Sequence, residues 1–376
     1  MSTTVCLTTG TLYYPQGGGH MWVSLNWALG LRAAGCDVVW LEGVTSQAPP
    51  AQTQADLAVL KGRLEAYGLA DRLGLFSWEG DSLAGELLDG CLTLEEARNA
   101  DLLLNLAYGV PASVVSSFGR SALVDIDPGL LQVWMSAGNL TVAEHDVYFT
   151  IGETVGRPEA KFPDCGISWH YTPPPVFLPE WAPSPPAAGA PYTTVSDWWG
   201  EWVCHDGDMY SNGKRDAFLG YVDLPRRASA PLELALCLAP GEDDERRLLE
   251  QHGWNVVGAG AVTGSPDDYR AYIQRSRGEL SCAKPSCMRL ENAWISDRTL
   301  CYLASGKPAI VQHTGESRVL PDSEGLFRFR DIDEAVGALA TVEADYHRQS
   351  RLARRLVEER FDAEKVVPRL LERALP

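Results

Sequence analysis

Short β-branched and aromatic runs alternate with helical segments along this chain, and the alternation is the feature that most constrains its fold. Residues 4–9 form the first run, the helical segment MWVSLNWALGLRAAG follows a glycine loop, and CDVVWLEG forms the next run. Further strands are predicted at 100–109, 121–129 and 145–152. Strands separated by helices predict a parallel, doubly wound α/β sheet, because parallel neighbours need crossover connections.

A proline-rich segment divides the chain into two parts. Eight of the 24 prolines lie between Thr172 and Pro191, a density that excludes a helix or sheet interior and predicts a stiff linker. Beyond it the alternation resumes with YTTVSDWW, PLELALCLAP and WNVVGAG (254–260) as strands. The predicted organisation is an N-terminal Rossmann-like domain (1–172), a linker (173–191), a second Rossmann-like domain (192–355) and a C-terminal helix (356–376) that packs back on the first domain. Two such domains predict a ligand cleft.

Composition and charge narrow the classes of partner. The 376 residues are 45% hydrophobic and 22% charged, with a net charge of −18. An acidic surface repels phosphate backbones and anionic lipids, so we expect no nucleic-acid partner. No run approaches the ~18 apolar residues of a membrane span, and MSTTVCLTTG lacks a signal-peptide pattern. Nine dispersed cysteines without a CxxC pair predict reduced thiols in a cytoplasmic protein.

The common cofactor motifs are absent. The loop TGTLYYPQGGGH lacks the G-x-G-x-x-G spacing, and GAGAVTG (258–264) lacks the acidic residue expected further on. No GxxxxGK[ST] motif occurs. The Asp125-Ile126-Asp127 triplet has the spelling of a manganese-binding D-x-D motif, but it ends a strand of the first domain. We therefore expect neither a metal nor a cofactor.

Three passages together resemble GT-B-fold glycosyltransferases. GGGHMWVSLNWALGLRAAGCDVVWLEG is similar to the opening of these enzymes, and WNVVGAGAVTGSPDDYRAYIQRSRGELS and SDRTLCYLASGKPAIVQHTGES resemble passages of their second domain. The passages occur in the correct order across both domains. The resemblance implies two Rossmann-like domains facing a central cleft, with a nucleotide-diphosphate sugar held by the second domain as co-substrate.

One departure from this pattern concerns the donor site. Many retaining members carry two glutamates eight positions apart, where this chain has Ala293 and Cys301. A cysteine cannot accept ribose hydrogen bonds as a carboxylate would. Asp297, Glu316 or Glu291 is then the candidate for the acid's role, and an inverting, metal-independent enzyme is expected.

The resemblance implies that a catalytic base stands directly after the first glycine loop. In inverting members a histidine at the position of His20 often takes the acceptor's proton, oriented by an acid from a later strand; Asp127 and Asp125 are the candidates. Gly17, Gly18 and Gly19 then form the acceptor-side loop. The alternative is that His20 caps the following helix and both aspartates make turn contacts.

Donor-binding residues are expected on loops of the second domain. Members of this fold bind the diphosphate with helix N-termini and basic side chains. The predicted donor-binding residues are Lys214, Arg215, Lys284, Asp297, Thr314, Gly315 and Glu316. Taken singly, each basic residue could instead be a solvated surface charge.

The predicted function is glycosyl transfer from a nucleotide-diphosphate donor to a small-molecule acceptor of natural-product type. Two alternatives stay open. One is a nucleotide-sugar epimerase of the same fold, and the other is a non-catalytic sugar-nucleotide-binding protein, which the absent glutamate pair makes credible.

Overall fold

The chain, described over residues 2–375 by a computed structural model, divides into two compact units. Unit 1 comprises the chain up to Gly156, Pro163–Phe177 and the C-terminal segment from Ala363. Unit 2 comprises Arg157–Phe162 and Leu178–Asp362. The chain therefore passes from one unit to the other four times, and one passage lies inside the proline-rich segment.

Unit 1 is built on a seven-stranded parallel sheet. Its strands are β1 Thr4–Thr9, β2 Asp37–Val44, β3 Leu73–Ser77, β4 Leu102–Asn105, β5 Ser121–Asp125, β6 Val147–Thr150 and β7 Trp169–Tyr171. They lie in the order β3-β2-β1-β4-β5-β6-β7. The three leucines of β4 have no exposed surface, which explains why this central strand is a continuous apolar run.

The helices of unit 1 include one from the C-terminal end of the chain. They are α1 Gly18–Ala33, α2 Pro50–Glu65, α3 Leu94–Ala97, α4 Ala112–Val115, α5 Leu130–Ser136 and, as numbered in chain order, α15 Ala363–Ala374, with a 3-10 turn at Ala70–Arg72. Helix α15 packs on α1 at Gly30, where a Cβ atom would lie 2.8 Å from Val367 Cγ2 and 2.9 Å from Ala363 Cβ. A glycine at this point lets the two helices approach closely.

Unit 2 repeats the same design. Its strands are β8 Tyr192–Asp197, β9 Trp202–His205, β10 Asp208–Ser211, β11 Leu232–Cys237, β12 Asn255–Gly258, β13 Gly278–Ser281, β14 Ala309–Gln312 and β15 Leu326–Phe329. Its helices are α6 Arg215–Leu219, α7 Leu224–Arg227, α8 Asp243–Gln251, α9 Ala259–Thr263, α10 Pro266–Arg275, α11 Pro285–Leu290, α12 Asp297–Ala304, α13 Ile332–Ala344 and α14 Tyr346–Arg360, with a 3-10 turn at Leu178–Glu180. Six strands form a parallel sheet in the order β12-β11-β8-β13-β14-β15.

At two places the structure differs from what the alternation of strands and helices indicated. The strand predicted over 254–260 ends at Gly258, and Ala259 begins helix α9, whose first residue is buried against Ala235 and Tyr272. The antiparallel hairpin β9–β10, which the alternation did not indicate, follows β8. The predicted strand ran too far because packing against the sheet, rather than local propensity, decides where α9 begins.

The first six parallel strands of each unit lie in the same order, so both sheets have a switch point at an equivalent place. Counted within each unit, this order is 3-2-1-4-5-6, with a seventh strand at the edge in unit 1, and the chain changes direction across the sheet between the first and fourth strands. The switch points lie between β1 and β4 in unit 1 and between β8 and β13 in unit 2. Open α/β sheets bind ligands at the carboxyl ends of strands at such points. Within residues 2–375, no helix is both long and apolar enough to cross a bilayer.

Candidate functional site

A buried lysine occupies the switch point of unit 2. Lys214 is 7% exposed, and its Nζ donates to the carbonyl of Cys282 at 2.7 Å and to Ser281 Oγ at 3.3 Å. Both acceptors lie where β13 ends. Burial, together with the positive charge of Arg298, lowers the pKa of Lys214 to about 7.

Two glycines bring Lys214 to this position. The segments on either side of the β9–β10 hairpin meet at Gly200 and Gly213, where a Cβ atom on Gly213 would lie 2.8 Å from the Gly200 nitrogen. A Cβ atom on Gly200 would lie 2.5 Å from the backbone of Asn212. Only residues without side chains fit this crossing. Since Gly213 directly precedes Lys214, the crossing fixes where the lysine leaves the hairpin.

A second cation, Arg298, shares an acceptor with Lys214. Its Nη2 donates to Ser281 Oγ at 2.7 Å, its Nη1 donates to the Val195 carbonyl at 2.9 Å, and its Nε donates to Glu279 Oε1 at 2.7 Å. Glu279 has no exposed surface, and its Oε2 makes no hydrogen bond within the described part of the chain. Sequence reasoning missed both residues; their signals are a basic residue in the first turn of α12 and an acid within the strand GELS.

Lys284 adds a third positive charge. It precedes α11 as its N-cap and is partly buried, and its side chain makes no hydrogen bond or ion pair with another residue of the described chain. Its charge contributes to lowering the pKa of Lys214, so the two ammonium groups interact. The structure thus brings Lys214, Lys284 and Arg298 together at the carboxyl end of β13.

Arg215, although adjacent to Lys214, is held elsewhere. Its Nε lies 3.0 and 2.9 Å from the two carboxylate oxygens of Glu245 on α8. Its guanidinium lies 5.3 Å from the centre of the exposed Trp199 ring. The ion pair directs Arg215 toward α8, and neither contact involves an acceptor of Lys214.

The loop after β14 is tied to the connection between α11 and α12. Thr314 is 4% exposed, its Oγ1 donates to the Trp294 carbonyl at 2.6 Å, and its own carbonyl accepts from the Ala293 nitrogen at 3.0 Å. Gly315 has a φ of +127°, and a Cβ atom there would lie 2.7 Å from the Glu291 carbonyl oxygen. The two loops therefore form one packed structure that only glycine at position 315 permits.

The positions of the absent glutamate pair are both buried. Ala293 is 5% exposed with a left-handed φ of +55°, and Cys301 is 1% exposed inside α12. Of the acids proposed in their place, Glu291 pairs with Lys161 at 2.6 Å, and Glu316 is exposed. Asp297 is the first residue of α12, next to Arg298.

Glu316 has a second feature that bears on its proposed role. One of its carboxylate oxygens lies 3.4 Å from Arg330 Nη2. Its 87% exposure leaves it accessible for a hydroxyl group of a ligand. Donor binding by Asp297 and Glu316 therefore stays a prediction.

In unit 1, the first loop (residues 10–17) places His20 on the initial turn of α1. Gly17 is the N-cap, and a Cβ atom on it would lie 2.1 Å from the Tyr14 ring, so the glycine lets that ring pack on the backbone. Gly18 and Gly19 begin the helix. His20 is exposed, its Nε2 lies 3.1 Å from the Gly10 carbonyl, and the Tyr14 ring lies 5.7 Å away, nearly perpendicular.

These contacts bear on the alternative that His20 caps the following helix. Helix α1 has no side-chain cap, so the histidine does not cap the helix that it begins. Its hydrogen-bond partner is a loop carbonyl on the other side of the glycine run. A carbonyl oxygen can only accept, so Nε2 carries a proton, and the neutral ring in this geometry has its lone pair on Nδ1.

Asp125 and Asp127 form their hydrogen bonds with residues other than His20. Asp125 has no exposed surface; its Oδ2 accepts from Gln132 Nε2 at 2.9 Å and from Thr150 Oγ1 at 2.8 Å. Asp127 accepts from the Tyr108 hydroxyl at 3.1 Å. Burial raises the pKa of Asp125 to about 7. Neither aspartate makes a hydrogen bond to His20 in the described chain, because Gln132 and Thr150 donate to Asp125 and Tyr108 donates to Asp127, so the orientation of His20 by these acids stays a prediction.

The carboxylate that organises the first loop is Glu42, near the carboxyl end of β2. It is 1% exposed and accepts from both the nitrogen and the Oγ1 of Thr11, as well as from Leu12 N, Thr9 Oγ1 and Trp40 Nε1. Sequence reasoning did not assign Glu42 a role. Its signal is an acid directly after the apolar stretch VVWL in the run CDVVWLEG.

Comparison with known proteins gives the fold alone. No protein-family model and no curated protein matches the sequence. An alpha-glucosyltransferase in complex with UDP-glucose and DNA containing an abasic site matches with a TM-score of 0.61 and 10% identity over 100% of both chains. A second structure of an alpha-glucosyltransferase, in complex with UDP and DNA containing an HMU base, matches with a TM-score of 0.59 and 12% identity over 100% of both chains. Anabaena HepE with UDP and glucose matches at 0.55 and 10% over 99% of both.

These matches confirm the predicted fold class, two Rossmann-like domains of the GT-B type. They also overturn the predicted partners, a small-molecule acceptor without nucleic acid, because two of these matched structures hold DNA. The prediction was wrong because net charge sums the whole surface, whereas an acceptor meets only one face of a protein. Within residues 2–375, no three His, Cys, Asp or Glu side chains form a group that could hold a metal ion.

Proposed function

We propose that this protein is a glycosyltransferase that uses a nucleotide-diphosphate sugar, bound by unit 2. The observation that carries the proposal is the cluster of Lys214, Lys284 and Arg298 at the switch point of that unit. A diphosphate is the ligand that such a cluster of donors and positive charge fits best. The GT-B fold, shared with proteins solved as UDP complexes, supports the same choice.

Each group has a chemical task in the proposed reaction. Lys214 and Lys284 stabilise the negative charge that grows on the leaving diphosphate, and Arg298 fixes the Ser281 hydroxyl beside it. His20 takes the proton of the acceptor hydroxyl through Nδ1. Direct attack by the activated hydroxyl inverts the anomeric centre. The lysines supply the positive charge, so we propose that the reaction needs neither a metal nor a cofactor.

Titration calorimetry of Lys214→Gln and Arg215→Gln tests the donor site. UDP and UDP-glucose are the first ligands, with GDP and dTDP sugars after them. Loss of a charge-assisted hydrogen bond costs roughly 1.5–3 kcal/mol, so Lys214→Gln should weaken binding about 10- to 100-fold. Arg215→Gln, the matched control, should change the dissociation constant less than about twofold, because its charge is engaged with Glu245.

Turnover assays then separate the catalytic classes. Incubation with labelled donor, with acceptors that include DNA containing HMU and glucose, should yield a transferred sugar of inverted configuration that is insensitive to EDTA. His20→Ala should abolish transfer. A change in the sugar of the intact donor would identify an epimerase instead, and binding without any reaction would identify a sugar-nucleotide-binding protein. No binding of any nucleotide sugar would reject the proposal.

A further inference from the structure

The carboxylate of Glu42 is unusual in its surroundings. It is buried and lies beside Thr9, its partner in the β1–β2 pairing, yet no basic side chain of the described chain forms an ion pair with it. Five neutral N–H and O–H groups donate to it instead. Burying a carboxylate without a cation is costly, and this dense set of donors offsets that cost.

The donors fall almost entirely within the first loop and its edges. The Thr11 hydroxyl and nitrogen and the Leu12 nitrogen all point at the carboxylate. A glutamine could not replace it, because its amide nitrogen would face donors and could accept from none of them. The conformation of the loop thus depends on an acceptor-only group near the carboxyl end of β2.

The same loop segment controls His20. Gly10, one residue before Thr11, presents the carbonyl that accepts from His20 Nε2 at 3.1 Å. Tyr14, whose nitrogen donates to the Thr11 carbonyl at 3.1 Å, places its ring against the imidazole. Both groups that contact the imidazole are therefore positioned by Thr11, and Glu42 in turn holds Thr11.

From this geometry we infer that Glu42 is a positioning residue for His20: by fixing the first loop it keeps the imidazole in the Nε2–H tautomer, with Nδ1 free to accept a proton. Glu42 itself does not touch the reacting atoms. The inference rests on the proposed function for its catalytic consequence, whereas the effect on the tautomer is a property of the protein alone.

The test compares Glu42→Gln with Glu42→Asp and with the control Glu79→Gln. Glu79 is also a carboxylate at a strand end that accepts from loop groups, here Thr45 Oγ1 at 2.6 Å and the Ser46 nitrogen at 3.2 Å, but it does not contact the first loop. Proteins carrying 15N-labelled histidine are examined by NMR at about pH 8, where an ordinary histidine is neutral.

In the wild type and in Glu79→Gln, His20 should show a protonated Nε2 and an unprotonated Nδ1. Glu42→Gln should shift the signals toward a mixture of tautomers, and Glu42→Asp should restore most of the wild-type pattern because it keeps the carboxylate. In turnover, Glu42→Gln should lower kcat roughly 10- to 100-fold, with the donor KM changed less than about twofold, since misplacement of a catalytic group acts on the chemical step.

If Glu42→Gln does not fold, Thr11→Val removes one donor and keeps the carboxylate, and it should cause a smaller shift of the same tautomer signals. A folded Glu42→Gln or Thr11→Val protein with wild-type tautomer signals would overturn the inference. A tautomer shift in a protein that shows no transfer in any form would uphold the role of Glu42 and reject the proposed function.

Discussion

The two sheets share the order of their first six strands, yet each stabilises a buried glutamate near its switch point in a different way. In unit 1, Glu42 is surrounded by neutral donors from a loop. In unit 2, Glu279 is paired with the guanidinium of Arg298, and Lys214 lies on the other side of Ser281. The same topology thus produces an uncharged loop in one unit and a cationic cluster in the other.

This difference indicates how the two units divide the proposed chemistry. A cluster of cations binds a diphosphate, whereas a loop of neutral groups positions a histidine without adding charge beside it. Strand order alone gives no such division, because it fixes only where a ligand binds and not which ligand. The side chains at strand ends decide the role of each unit.

The largest expected effect is on stability, in Arg298→Met. Removing the guanidinium leaves Glu279 buried and unpaired, which should lower the free energy of unfolding by about 3–5 kcal/mol in urea denaturation. The double variant Glu279→Gln/Arg298→Met should recover a large part of that loss. Arg215→Met, which breaks a more exposed pair, serves as the control and should cost about 1 kcal/mol. Equal losses of stability in Arg298→Met and in the control would contradict the idea that buried Glu279 depends on its pairing with Arg298.

A smaller effect is expected from glycine substitutions in the two loops. In Gly315→Ala the new Cβ meets the Glu291 backbone at 2.7 Å and φ is +127°, so unfolding should become easier by about 2–3 kcal/mol. In Gly17→Ala the Cβ meets the Tyr14 ring, which is 46% exposed and can rotate away, so the loss should stay near 1 kcal/mol. Thermal unfolding measures both. A greater loss in Gly17→Ala would show that the first loop is the more rigid of the two.

The smallest expected effect is a pH dependence of donor binding that arises from Lys214 in unit 2. Because the pKa of Lys214 is lowered to about 7, its ammonium form is fully present only below that pH. Above it, binding an anionic donor must take up a proton, so the dissociation constant should rise by up to about tenfold per pH unit. UDP-glucose is the suitable ligand, since its diphosphate has no group that titrates in this range.

Calorimetry between about pH 6.5 and 8.5 measures this slope. The slope should vanish in Lys214→Gln and persist in His20→Ala, which lies in the other unit. An unchanged slope in Lys214→Gln would assign the titration to another group.

Much of the fold was predictable from local sequence. The alternation placed β1 correctly at Thr4–Thr9, and β11 lies within the predicted strand run PLELALCLAP. The candidate site was predictable only where a residue type sits at a strand end, as with Lys214. Sequence could not show that Arg215 faces α8, because a one-residue step changes a side chain's direction by about 100° at a helix start. Nor could it show Glu42 or Arg298, whose importance comes from burial against distant strands.

Helix α15 has a consequence for how the chain is made. It is the last helix in the described sequence, yet it fills the groove of α1 at Gly30, within the unit whose strands are synthesised first. On the ribosome, α1 would emerge with its surface at Gly30 uncovered until Ala363 and Val367 follow about 335 residues later. Unit 2 is therefore fully synthesised while the core of unit 1 still lacks its final helix, and a nascent-chain holdase has a defined apolar surface to protect.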